Sequence, residues 1–343
     1  MQHRRFIYVA LVLLAAALLY WRSPQEPGSE MATLSGKTMG TTYSISVPAQ
    51  HADETLAVTI EQRLEDLENI FSTWRDDSEI SQFNASRSND WFPCSAELAE
   101  VVAASIRIHS LTNGAFEITL GPLIERWGFD TAEVTIPPSK EELSVLMRSV
   151  GTAHLQTRES PPAIRKRLPD TVINLSGIAK GYAVDFIAGL LEAQGLELYM
   201  VEIGGEVRTK GRNDDRPWRI AIARPQPGKP RAQRIVEIKT ASIATSGGYQ
   251  NSLELLDKSY IHILDPATGK PVKSQTASVT VIDEASTMRA DALATALMVM
   301  PVEDALRLAD RRDIAAYFIV LAKEGQLVQR ASTAFHSRLD PVQ

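Results

Sequence analysis

A single cysteine, Cys94, stands in a chain of 343 residues. That excludes an internal disulfide and a cysteine-based metal cluster. Cys94 lies in FPCSAEL, just before an expected helix, with nothing nearby to activate a thiol. It reads as a half-buried filler rather than a nucleophile. Histidine is also scarce, six in all, with no metal-ligating spacing. Positive charge is not in excess: 36 basic residues face 42 acidic ones, net −6, and no basic block follows the first few residues. Nucleic acid is therefore not an expected partner. Four signatures of enzyme chemistry are missing as well: the P-loop, G-x-G-x-x-G, H-E-x-x-H and G-x-S-x-G. No repeat of fixed period occurs.

What remains is an ordinary globular composition, 44% hydrophobic and 23% charged, with enough chain for a large core. One run is apolar from end to end. Phe6–Trp21 (FIYVALVLLAAALLYW) follows His3-Arg4-Arg5, a basic region leading into an apolar one. As a helix it rises about 24 Å, near the ~30 Å of a hydrocarbon core. Tyr20 and Trp21 suit the far interface, and Arg4 and Arg5 suit the cytoplasmic side. No small-x-small cleavage site follows. The expectation is an uncleaved anchor in a bacterial inner membrane, with residues 1–30 as anchor and linker and residues 31–343 as a periplasmic folded body.

The body is organised around Thr171–Gln194, TVINLSGIAKGYAVDFIAGLLEAQ. Val172–Leu175 reads as a short buried strand that Ser176-Gly177 ends. From Ile178 apolar residues recur at Tyr182, Phe186 and Leu190 with helical spacing, and Gly195 suits the stop. A strand turning into a helix aims free N–H groups and the helix dipole at one spot, a potential anion site. Lys180 in the first turn is then either a surface lysine or a partner of that anion.

Around this unit, Asp53 caps an amphipathic helix running to Phe71, a short helix covers DDSEISQFN, and Ser95–Leu111 forms another. Pro122 suits the start of a helix, and Ser139 with Glu142 forms a capping box. Short β-like runs follow at 198–203, 206–209, 218–223, 235–239 and 242–248. Asp265–Pro271 reads as a hairpin loop, and Ala315–Ala322 as a last strand. Helices and short antiparallel strands segregate, so the fold class is α+β. The second unusual site is ADALATAL, where Asp291 and Thr295 are spaced i, i+4 on one helix face. The pair is either dipole complementation with a self-bonded threonine, or the protein half of a hard-cation site.

Eight stretches in order resemble the ApbE family of FAD:protein FMN transferases. They are MGTTYSI (39–45), FSTW with SEISQFN (71–84), GAFEITLGPLIERWGF (114–129), NLSGIAKGYAVD (174–185), VEIGGEVRTKG (201–211), SIATSGGYQN (242–251), HILDPATGKP (262–271) and ADALATAL (290–297). The resemblance implies an ApbE-like α+β fold over nearly all of residues 31–335, and FAD as substrate. It implies contacts to FAD from Met39, Trp74, Ala115, Phe116, Glu117, Asn174 and Lys180. It also implies Mg²⁺ held by Asp291, Thr295 and the Gly177 carbonyl. His262 matches an active-site histidine, and we assign it the proton of the attacking hydroxyl. Relatives usually carry Asp where this chain has Asn174, and often Asp where it has Glu117. The implied reaction moves the FMN phosphoryl group from FAD to a Thr or Ser hydroxyl and releases AMP. The implied acceptor carries a Ser/Thr-Gly-Ala-Thr type motif, as in subunits of Nqr- or Rnf-type electron-transport complexes. Two other activities fit the same residues: a Mg²⁺-dependent FAD pyrophosphatase, and a non-catalytic FAD binder.

Overall fold

Seventeen strands and nine α-helices build the described part of the molecule. In chain order the strands are β1 (Met31–Thr38), β2 (Thr41–Pro48), β3 (Phe92–Pro93), β4 (Leu155–Glu159), β5 (Pro162–Lys166), β6 (Tyr199–Ile203), β7 (Glu206–Lys210), β8 (Trp218–Ala223), β9 (Ala232–Ile238), β10 (Ala241–Gly247), β11 (Ser252–Leu255), β12 (Lys258–Ile261), β13 (Leu264–Asp265), β14 (Lys270–Pro271), β15 (Thr276–Asp283), β16 (Ala315–Leu321) and β17 (Leu327–Ala331). The helices are α1 (Glu54–Phe71), α2 (Glu79–Ala85), α3 (Ala96–Leu111), α4 (Gly121–Trp127), α5 (Lys140–Leu146), α6 (Ala179–Ala193), α7 (Thr287–Val299), α8 (Val302–Arg311) and α9 (Thr333–Arg338). This computed structural model describes residues 30–129, 134, 136–212, 216–226, 231–248, 252–255, 258–322 and 326–339. The expected anchor lies outside them. No helix among the described residues is long and apolar enough to cross a membrane.

The frame is an eight-stranded sheet in the order β1-β2-β6-β7-β10-β15-β16-β17, antiparallel at every pairing. Helices α6 and α7 pack against each other and across this sheet, α6 on β6 and β7, α7 on β10 and β15. Side chains of β16 alternate between two cores: Ala316, Phe318 and Val320 face the helices, while Ala315, Tyr317 and Ile319 meet the β8–β9 hairpin and α9. A strand buried on both faces reads in sequence as an unbroken apolar run, which is what AAYFIVL is. A third, smaller core gathers Leu120, Leu123, Trp127, Leu143 and Leu264 beneath α4 and α5.

Local chemistry sets the boundaries as expected. The Asp53 carboxylate accepts from the Leu56 amide, and Ser139 with Glu142 makes both halves of the capping box. The α+β class and the antiparallel sheet agree with the sequence reading. One expected element differs. Val172–Leu175 is extended but belongs to no sheet. The Asn84 side chain donates to the Ile173 carbonyl and accepts from its amide, both at 2.8 Å, in the way a neighbouring strand would. The Asn174 amide donates to the Ile118 carbonyl, and the Val172 carbonyl accepts from the Gly121 amide. Alternation survives, with Ile173 and Leu175 buried, because extended backbone alone fixes it.

Candidate active site

The tip of the β1–β2 hairpin is Met39-Gly40, both with positive φ (47° and 71°), a two-residue turn of the type that fits the twist of a hairpin. Met39 is held there from α1: Glu68 Oε1 accepts from the Met39 amide at 2.7 Å and from the Thr38 hydroxyl at 3.0 Å. Arg75 pairs with the other Glu68 oxygen at 3.0 Å and also with Glu65. Behind the opposite wall the buried Glu117 carboxylate organises the 112–120 loop. Its oxygens accept from Thr119 N and Oγ1, Thr152 N, and His109 Nδ1. Burial would raise this carboxyl, but the His109 and Thr119 bonds prevail and hold it low. The same partner raises His109.

At the centre, α6 and α7 approach so closely that a Cβ on Gly181 would stand 2.5 Å from the Thr287 carbonyl and 2.8 Å from Asp291 Cβ. Only glycine permits this crossing. Asp185, one turn further along α6, fixes it by accepting from Ser286 Oγ, Thr287 N and Met288 N and pairing with Arg208 at 3.2 Å. An acid at the N-terminus of α7 both satisfies its free amides and complements its dipole. The result is that Asp291 Oδ2 accepts from the Gly181 amide at 3.0 Å.

That contact alters the anion site expected at the α6 N-terminus. The Ile178 and Ala179 amides bond back to the Leu175 carbonyl, and Gly181 is committed to Asp291. The Gly177 and Lys180 amides are left without acceptors among the described residues. The site is thus less an open helix end than a charged cluster beside one. Lys180 Nζ lies 3.0 Å from Glu206 Oε1, and Glu206 is 2% exposed with its second oxygen unpartnered. Burial would lower the Lys180 ammonium, but the Asp291 and Glu206 charges outweigh it and raise it. Burial pushes the Glu206 carboxyl up to about 8, with Lys180 opposing and Asp291 adding to the rise. Burial raises Asp291 too, against Lys180 and the Gly181 amide. Two acids therefore share one ammonium, and the cluster has room for one more positive charge.

Met39, Ala115, Phe116, Glu117, Asn174, Gly177, Lys180, His262, Asp291 and Thr295 line one cleft of about 540 Å³. Thr295 Oγ1 is 3.1 Å from Ser246 Oγ, and a Cβ placed on Gly177 would lie 3.2 Å from Thr295 Oγ1. Gly177, Asp291 and Thr295 thus offer carbonyl, carboxylate and hydroxyl oxygens in one neighbourhood. Asn174 Oδ1 accepts from Ser176 N at 3.0 Å and Ser176 Oγ at 2.5 Å, closing the turn that presents Gly177. Two expected residues behave differently. Trp74 is 66% exposed on the turn after α1 and is not part of the cleft wall, although Arg75 ties that turn through Glu68 to Met39. Glu117 reaches the wall, but its carboxylate oxygens are taken up by Thr119, Thr152 and His109 inside the protein. Sequence pattern alone does not distinguish Glu68, Asp185 or Glu206 from ordinary acids. GGE in 204–206, an acid directly after a glycine turn, was the signal available for Glu206.

A family model described as the ApbE family matches residues 39–318. The FAD:protein FMN transferase of Vibrio cholerae serotype O1 is 42% identical over 330 residues, covering 95% of this chain and 97% of the relative. The solved structure of the flavin transferase ApbE from Vibrio cholerae superposes with a TM-score of 0.82 at 42% identity, covering 91% of this chain and 99% of that one. The apo flavinyl transferase ApbE of Pseudomonas stutzeri gives a TM-score of 0.82 at 36% identity, over 91% and 98% of the two chains.

Proposed function

The chain belongs to the ApbE family, and we propose on that premise that it is an FAD:protein FMN transferase whose chemistry takes place in the Lys180–Glu206–Asp291 cleft. The observation that carries the placement is the cluster itself, buried acids in excess of buried bases beside a wall of neutral oxygen donors. The acceptor hydroxyl oxygen bonds to the FMN phosphorus, the pyrophosphate bridge bond breaks, and AMP departs with that bridging oxygen. The hydroxyl proton passes to a base, a role we give to His262 on the cleft wall.

The donor set suits a hard cation such as Mg²⁺, oxygens with one carboxylate. Because no group of three His, Cys, Asp or Glu that could hold a metal gathers among the described residues, substrate oxygens would have to complete the shell. Asp291, Thr295 and the Gly177 carbonyl would hold it, and it would supply charge neutralisation at the pyrophosphate. The protein's own share is positioning. Lys180, held by Glu206, brings an ammonium to the phosphates, and the Gly177 and Lys180 amides supply donors. Met39, Ala115 and Phe116 supply the apolar wall for the flavin or adenine ring, with Trp74 available to close over it.

One incubation tests the reading: protein, FAD, Mg²⁺ and an acceptor domain carrying a Ser/Thr-Gly-Ala-Thr motif. Fluorescent acceptor in a denaturing gel with equimolar AMP is the expected outcome. AMP without labelled acceptor would make the protein a pyrophosphatase, and neither product would make it a binder. We place the acceptor in a Nqr- or Rnf-type complex, and the catalytic body (31–343) in the periplasm behind the 1–30 anchor. Fractionation of the full chain against one starting at Met31 tests the anchor.

Asn174→Asp is expected to do little. The carboxylate would keep both bonds to Ser176. FAD affinity should change by roughly 1 kcal/mol, the scale of one net hydrogen bond, with turnover altered only a few-fold. A hundred-fold gain in single-turnover transfer would show instead that a carboxylate at 174 takes part in acid–base or cation chemistry, worth ~10²–10⁴-fold.

A further inference from the structure

Beside the cleft runs a larger groove of about 780 Å³, and Ala115 and Val299 line both. Its far walls are the Asp265–Thr276 segment, which includes the β13–β14 hairpin, and the turn from α7 into α8. The floor is apolar, built from side chains such as Val272, Met300 and Val302.

Its charge is unbalanced. Lys270 and Lys273 are exposed on its wall and pair with no carboxylate among the described residues. Two acids lie on the same wall. Glu303 is neutralised by Arg330 at 3.1 Å, whereas Asp265 keeps its charge and turns its carboxylate to Ala267 N and Thr268 Oγ1. The two lysines therefore leave an excess of one positive charge. Thr276 also lines the groove, but its hydroxyl is turned inward and buried, so the contacts open to a ligand are those of the lysines and the apolar floor.

We propose that this groove seats the acceptor polypeptide, an extended segment with an acidic side chain set against Lys270 and Lys273 and its hydroxyl residue delivered past Ala115 into the cleft. The proposal rests on the transferase reading. The apolar floor supplies contact area, the lysines supply orientation and register, and continuity with the cleft supplies reach. A free dinucleotide alone leaves the groove unexplained, since the charged cluster and the oxygen donors all lie in the neighbouring cleft.

The test uses Lys270→Glu/Lys273→Glu, two exposed positions, in the full chain. With the acceptor domain as substrate and FAD saturating, the KM for acceptor should rise roughly tenfold, the combined scale of two reversed surface charges. The FAD dissociation constant should stay the same, and added salt should weaken the wild type more than the variant. An unchanged KM would overturn the proposal. A weakened FAD affinity would also overturn it, by placing part of the dinucleotide in the groove. A fluorescently tagged deca-glutamate peptide, read by polarisation, separates this from the transferase reading. If the wild type labels no acceptor, that reading fails. Peptide binding lost in the variant still supports the groove, and equal binding by both proteins sinks it.

Discussion

Asp291→Asn is expected to lower single-turnover FMN transfer by roughly 10³-fold while the protein folds normally, a loss on the scale of removing a preorganised group that stabilises transition-state charge. Asn can keep the acceptor that holds the Gly181 amide, so the close crossing of α6 and α7 does not depend on the charge. What disappears is the one carboxylate among the proposed cation ligands. Stability should be equal or higher, because burial already disfavours the Asp291 charge and the remaining acid, Glu206, gains sole use of Lys180. Thr295→Val should cost far less activity, since a hydroxyl is a weaker ligand, while the lost bond to half-buried Ser246 should lower stability by about 1 kcal/mol. The measurements are AMP release and in-gel flavin fluorescence at saturating FAD, with a thermal melt as the fold control. Near-normal transfer by Asp291→Asn at limiting Mg²⁺ would move the cation elsewhere.

How much of this was legible in the sequence depends on whether a residue acts locally or at a distance. Caps were legible because Asp53 and Ser139 bond amides three residues away. Asp291 and Thr295 were legible because i, i+4 spacing puts them on one face whatever the fold does. Val172–Leu175 carries the pattern of a strand without being one, because alternation reports extended backbone, not a ladder. The partner that replaced the ladder, Asn84, lies 89 positions earlier. Glu68 and Asp185 look in sequence like ordinary acids on helices. Their meaning comes from Met39 and from the start of α7, which the chain brings to them only after folding. The helix-end anion site is narrowed for the same reason: nothing local says that Asp291 takes the Gly181 amide and leaves those of Gly177 and Lys180.

Glu206 is the clearest case of a long-range residue, and it should govern how stability depends on pH in the absence of ligand. Its folded carboxyl sits near 8 against an ordinary value of 4.5. Between those values the native state holds a proton that the unfolded chain has released. The contribution is therefore fully present below about 4.5 and is lost as pH rises through about 8. One proton corresponds to ~1.4 kcal/mol per pH unit, so roughly 3 kcal/mol should vanish between about pH 5.5 and 7.5. His109, raised by Glu117, adds a change of the same sign, and so does Asp291, raised by burial. The informative quantity is therefore the difference between wild type and Glu206→Gln. Gln can still accept from Lys180 through its carbonyl oxygen, but it cannot ionise. Urea unfolding in chelator at about pH 5.5, 6.5 and 7.5 should give a falling stability for the wild type and a flatter one for the variant. Saturating Mg²⁺ with FAD should flatten the wild type too, because a cation then supplies the positive charge that the proton supplied. Parallel slopes for the two proteins would mean that Glu206 is ionised throughout, and that Lys180 belongs to it rather than to Asp291.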